Sequence, residues 1–100
     1  MTGEVFLLGP TYIVGQSKGI TDFAATLAKK SGGNLITDKI GYPTTQYAVR
    51  KTVTELAKGN DVVVDAGRMP SIVEAIQQDP RITPALRTRL HIFQGPTNPN

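Results

Sequence analysis

Asp61-Val62-Val63-Val64 is a short run of β-branched apolar residues that closes on a carboxylate, Asp65. Side chains branched at Cβ suit a strand better than a helix. Working outward, Glu4-Val5-Phe6-Leu7-Leu8, Leu35-Ile36-Thr37 and Leu90-His91-Ile92-Phe93 are runs of the same kind, each separated from the next by an amphipathic stretch. The order β-α-β-α-β-α-β requires parallel strands, because a helical crossover returns the chain to the edge from which it left. Parallel strands gather their carboxyl ends along one edge, where open α/β sheets bind ligands.

The stretches between the runs carry their own punctuation. Over residues 20–30, Ile20, Phe23, Ala24, Leu27 and Ala28 recur at helical spacing, and Lys29 and Lys30 occupy the last turn, where cations oppose the helix dipole. Ser31-Gly32-Gly33 stops this helix, since glycine adopts the left-handed conformation a helix end often needs. A second helix begins near Thr44 or Thr45, after Pro43, faces the core with Val49, Val53 and Leu56, and ends at Lys58-Gly59. A third opens at Met69-Pro70-Ser71, carries Ile72, Val73 and Ile76, and ends before Pro80. Thr83-Pro84 then reads as an N-cap with proline at the first helical position, for one or two turns through Arg89. Gly9-Pro10 either turns the chain into a further short strand over residues 12–14 or opens a long loop across the sheet edge.

Composition narrows the class. A hydrophobic content of 39% over 100 residues supplies one modest core and not two, so the expected organisation is a single domain over residues 1–94 with a flexible tail over 95–100. The absence of cysteine excludes disulfides, thiolate ligands and a thiol nucleophile, and a single histidine, His91, argues against a histidine-rich metal site. No run reaches the roughly 20 apolar residues that span a bilayer, and no basic-then-apolar leader is present, so a cytoplasmic protein without a membrane partner is expected. Eleven Lys and Arg against eight Asp and Glu leave a net charge of +3, spread along the chain. That suits anionic small molecules; it is not the basic stripe with interleaved aromatics of a nucleic-acid binder.

Just past each run stand Gly9 and Thr11; Asp38 and Lys39; Asp65, Gly67 and Arg68; and Gln94, Gly95 and Thr97. The candidate binding residues are drawn from here. Gly15, Ser17, Lys18 and Gly19 open the first helix, where free backbone N–H groups and a lysine converge on one anion. Arg68 adds a planar donor suited to phosphate or carboxylate, and Asp65, with Asp38, offers a carboxylate for a metal or a ribose hydroxyl. Plainer roles compete: Gly15 and Gly19 as turn residues, Asp65 as a helix cap or partner of Arg68, Lys18 and Lys39 as solvated charges, His91 as a half-buried strand residue, and Tyr12, Tyr42 and Tyr47 as packing groups.

Residues 13–21, Ile-Val-Gly-Gln-Ser-Lys-Gly-Ile-Thr, with the helix, strand and Asp38 that follow, resemble the opening of P-loop NTPases, most closely the partition and division-site ATPases. Asp61-Val62-Val63-Val64-Asp65 resembles the strand whose terminal carboxylate holds magnesium in that family, and residues 90–97 resemble a later strand of its core. The resemblance touches about two thirds of the chain and implies a nucleotide bound with Mg2+, Asp65 being the metal's carboxylate. Gly-Lys-Ser and Gly-Lys-Thr are absent; Gln16 and Ser17 fill the nearest slots and Lys18 is displaced, so the resemblance implies binding without hydrolysis. Residues 67–95 are also similar to a segment of nucleoside hydrolases, whose calcium-binding aspartate cluster is reduced here to Asp22.

The expectation is a single three-layer α/β domain, Rossmann-like or flavodoxin-like, with about four mainly parallel strands and helices on both faces. Its first expected role is binding a nucleotide or another phosphorylated small molecule. The alternative is a protein-interaction or regulatory module, with homo-oligomerisation covering the open sheet edges. A small hydrolase or phosphotransferase stands third, since no nucleophile and base pair can be named.

Overall fold

The computed structural model describes residues 4–8, 18–38, 44–66 and 70–94, with backbone alone at Leu8, Lys18, residues 36–38 and Asp65. The segment 9–17, Lys39, Gly67, Arg68 and the tail 95–100 lie outside the described residues, and with them the choice between hairpin and loop after Gly9-Pro10. The elements run β1 (Glu4–Leu8), α1 (Lys18–Ser31), β2 (Asn34–Asp38), α2 (Thr45–Ala57), β3 (Asp61–Asp65), α3 (Pro70–Gln78), α4 (Pro84–Arg87) and β4 (Leu90–Phe93). The four strands form one sheet in the order β2-β1-β3-β4, every neighbouring pair parallel.

The helix ends follow their local chemistry. Gly32 takes φ 72° and the Gly33 amide donates to the Ala28 carbonyl at 3.0 Å, closing α1. Thr44 Oγ1 accepts from the Tyr47 amide at 3.0 Å at the start of α2. At its other end Gly59 takes φ 92°, while the Gly59 and Asn60 amides donate to the Leu56 and Glu55 carbonyls. These bonds satisfy carbonyls that the end of a helix leaves open. Helix α4 is shorter than the spacing predicts, stopping at Arg87 rather than Arg89. The Arg89 carbonyl accepts instead from the Val62 amide at 3.0 Å, so the sheet takes over where a further turn would have used that group.

Two apolar clusters sandwich the sheet. On one face Val5, Leu7 and Val63 meet Ile20, Ala24 and Ala28 of α1. On the other, Val62 and Val64 meet Ala48, Val49 and Leu56 of α2, Val73 and Ile76 of α3, and Ile82. Alternation of side chains along each strand sends neighbours to opposite faces, so the Val62-Val63-Val64 run serves both clusters and is completely apolar for that reason. Val53 packs against the second cluster as expected but stays half-buried, whereas Thr52 and Glu55 are buried. The cause is that α2 is covered by both the sheet and α3, which rotates the shielded stripe to residues 48, 49, 52, 55 and 56. Thr52 Oγ1 donates to the Ala48 carbonyl at 2.9 Å, and Glu55 accepts from Asn60 Nδ2 at 3.0 Å, so neither polar group is buried without a partner.

Candidate binding site at the carboxyl edge of the sheet

Strand order decides where a ligand fits. From β1 the chain moves outward to β2, with α1 on one face; from β3 it moves the opposite way to β4, with α3 on the other. Neighbouring strands whose connections leave to opposite sides and opposite faces leave a crevice beyond their carboxyl ends, the switch point of doubly wound sheets. Here the switch point is between β1 and β3.

The register places the ends. Asp38 pairs with Leu8, Leu8 with Val64, and Asp65 with Phe93, so the four strands finish level with one another. Pairing continues for one more residue, the Ala66 amide donating to the Phe93 carbonyl at 2.9 Å. With adjacent strands about 4.8 Å apart, the main chains at Asp38 and Asp65 stand roughly 10 Å from each other across the end of β1.

Helix α1 starts at this edge. A β-carbon built on Gly19 would lie 3.2 Å from Phe93 Cζ, and the Phe23 and Phe93 ring centroids are 5.6 Å apart with planes inclined at 44°. The first turn of α1 therefore rests over the strand partner of Asp65. Of the residues singled out in the sequence, Lys18, Gly19, Asp38 and Asp65 are brought to one edge by their backbones; Gly15, Ser17, Lys39, Gly67 and Arg68 lie outside the described residues. Gly19 is not a turn glycine: it is the second residue of α1, with no positive φ, and the close approach of Phe93 is what its missing side chain permits.

Beside Asp65, between α3 and the end of β4, a groove of about 520 Å3 is lined by Ser71, Glu74 and Gln77 on one wall and by Ala66, Ile92 and Gln94 on the other. Gln94 stands among the residues read just past the strands, whereas Ser71, Glu74 and Gln77 do not figure among the candidates drawn from the sequence. Their signal was the three-residue spacing of Ser71, Glu74 and Gln77, which places polar groups along one side of α3. No group of three or more metal-binding side chains occurs among the described residues. Magnesium carried by a nucleotide needs only one or two carboxylates, its other positions being filled by phosphate oxygens and water.

His91 is at the opposite half of the sheet. Its Nε2 lies 2.9 Å from Asp61 Oδ1, and both residues are half-buried. Asn60 at that end serves the scaffold: its Oδ1 accepts from the Glu4 amide at 3.2 Å while its Nδ2 donates to Glu55.

Fold and site define a small doubly wound α/β domain with an all-parallel sheet. No protein-family model, curated protein or solved structure matches the chain. No helix among the described residues is long and apolar enough to cross a membrane.

Proposed function

We propose that this chain is a cytoplasmic α/β module that binds a nucleotide or another phosphorylated small molecule at the carboxyl edge of its sheet, without turnover. The observation that carries the reading is the meeting of the β1/β3 switch point with the start of α1 and the backbone of Asp65. In this reading Gly15, Ser17, Lys18 and Gly19 present amide, hydroxyl and ammonium groups to the anion, and Arg68 adds a forked donor. Asp65 takes Mg2+ or a ribose hydroxyl, as the resemblance to P-loop NTPases implies, with Asp38, Lys39 and Gly67 rimming the crevice. The groove of about 520 Å3 beside Asp65 has the size of a small-molecule site, and its mixed wall of apolar, amide, hydroxyl and carboxylate groups suits the uncharged remainder of the ligand rather than its phosphate.

The test is thermal denaturation with a panel of nucleoside mono-, di- and triphosphates, with and without Mg2+. A ligand at one hundred times its Kd stabilises by about 2.7 kcal/mol, which for a domain of this size raises Tm by on the order of 10 °C. Lys18→Ala and Asp65→Asn remove the shift while leaving the unliganded protein folded. Failure of every phosphorylated compound to move Tm rejects the reading.

A second reading, a protein-interaction module, is favoured by the two outer strands. β2 and β4 each have a single partner among the described strands, and Phe23, packed against Phe93 beside β4, is 39% exposed. Unpaired strand edges are templates for another chain. A mass measured by light scattering that rises with concentration, and falls for Phe23→Ser, supports this reading; a monomer at all concentrations speaks against self-association.

A further inference from the structure

The outer helical layer holds a second groove, of about 430 Å3, between the first turns of α2 and the end of α3. Val49 and Ala75 give it an apolar part; Thr45, Gln46, Arg50 and Arg81 surround that part with hydrogen-bond donors. The two arginines differ in how they are held. Arg81 is clamped by Asp79, its Nε donating to Oδ1 at 3.0 Å, its Nη2 to Oδ2 at 2.8 Å and its backbone amide to Oδ1 at 2.9 Å. That arrangement leaves the Nη1 hydrogens and the second Nη2 hydrogen uncommitted. Arg50 is exposed and makes no hydrogen bond or ion pair with another described residue.

We infer that this groove is a binding site for a small organic anion, a phosphate monoester or a carboxylate, held between the guanidinium groups of Arg50 and Arg81 with its carbon skeleton on Val49 and Ala75. Three features support the assignment. Asp79 is the sole acidic residue among the described residues lining the groove, and its acceptor oxygens are engaged by Arg81, so the guanidinium is oriented in advance rather than immobilised on binding. Guanidinium forks match the planar or tetrahedral oxygens of carboxylate and phosphate. The volume falls within the range of small-molecule sites, and an apolar patch beside two cations selects an organic anion over a bare inorganic ion. Asp79 also stays ionised at working pH, the Arg81 hydrogen bonds holding its carboxyl down at about 2. The site is independent of the carboxyl-edge reading, because it uses none of Lys18, Asp38, Asp65 or Arg68.

The test is NMR titration of uniformly 15N-labelled protein, following the Nε–Hε signals of Arg50 and Arg81, with phenyl phosphate, benzoate and inorganic phosphate at constant ionic strength. The expected result is saturable movement of both arginine signals with at least one organic anion, and at least tenfold weaker binding in Arg50→Gln and in Arg81→Gln. Phenyl phosphate against benzoate tells which oxyanion is preferred, and Lys18→Ala leaves the binding unchanged. Shifts that fail to saturate, that inorganic phosphate reproduces at equal strength, or that survive Arg50→Gln overturn the inference. Arg50 is exposed, so loss of folding does not confound that variant.

Discussion

Gly19 and Phe93 touch across the carboxyl edge: a β-carbon on the glycine would stand 3.2 Å from the tip of the phenylalanine ring. The contact seats the start of α1 on β4, an outer strand whose own second partner is absent among the described residues.

Because the neighbour is the end of a half-buried ring rather than backbone, the ring can retreat by a few tenths of an ångström. Replacing helical glycine by alanine gains about 0.5–1 kcal/mol through lost unfolded-state freedom. Gly19→Ala is therefore expected to be neutral to slightly stabilising. Gly19→Leu, which must displace the ring, is expected to cost about 1–3 kcal/mol. Urea unfolding of both variants checks the pair, and equal destabilisation by Ala and Leu contradicts the contact as described.

Asn60 joins three elements with one side chain, donating to Glu55 on α2 and accepting from the Glu4 amide on β1 while opening β3. Glu55 is only 6% exposed, with Lys58 Nζ at 3.4 Å as its other neighbour. Asn60→Ala leaves a buried carboxylate short of a donor and is expected to cost about 1–3 kcal/mol. In Glu55→Gln the amide can still accept from Asn60, so a smaller loss is expected. A cost for Asn60→Ala below that of Glu55→Gln runs against this account.

Leu56 and Ile20 are fully buried in the two different clusters. Truncation of either to alanine is expected to cost about 2–5 kcal/mol. Against a total stability of about 5–15 kcal/mol for a domain, each is a sizeable fraction of the whole. The residues belong to opposite faces and share no cluster, so in milder form, Leu56→Val with Ile20→Val, the losses should add within about 0.5 kcal/mol. Strong coupling measured in the double variant would falsify the two-cluster description.

The Asp79–Arg81 pair predicts an acid dependence with a definite sign. The Asp79 carboxyl is lowered from 3.8 to about 2, chiefly by the Arg81 side-chain hydrogen bonds and then by its backbone amide. Arg81 is correspondingly raised, again through Asp79. The folded state therefore holds the proton less tightly than the unfolded chain, so the pair's contribution is present above pH 3.8 and is lost as pH falls toward about 2. The wild type should lose urea midpoint across that window faster than Asp79→Asn, the two converging below it. Parallel acid profiles would show that the pair contributes nothing. The effect is small, because Arg81 is exposed and water screens the pair.

Local signals were legible where a residue acts on its own backbone. Thr44, Thr83 with Pro84, Gly32 and Gly59 mark helix ends by chemistry that depends on neighbours within a few positions, and each is found in that role. Val62-Val63-Val64 is legible for a related reason: a strand covered on both faces has no polar alternation to blur it. The burial of Glu55 was not legible, since a carboxylate in a helix ordinarily faces water. Its burial depends on Asn60, five residues later and beyond a turn. The meeting of Arg50 and Arg81 in one groove was hidden likewise, because the groove exists only once α2 and α3 pack.

By itself the sequence determined the kind and order of the described elements and their parallel sense, because periodicity, capping and crossover geometry are properties of contiguous chain. The order β2-β1-β3-β4 was left to the tertiary structure, since hydrogen bonds between strands carry no label of chain position and several orders would bury the same apolar area. That order is what puts β1 beside β3, sets the switch point between them, and brings the start of α1 over the partner of Asp65.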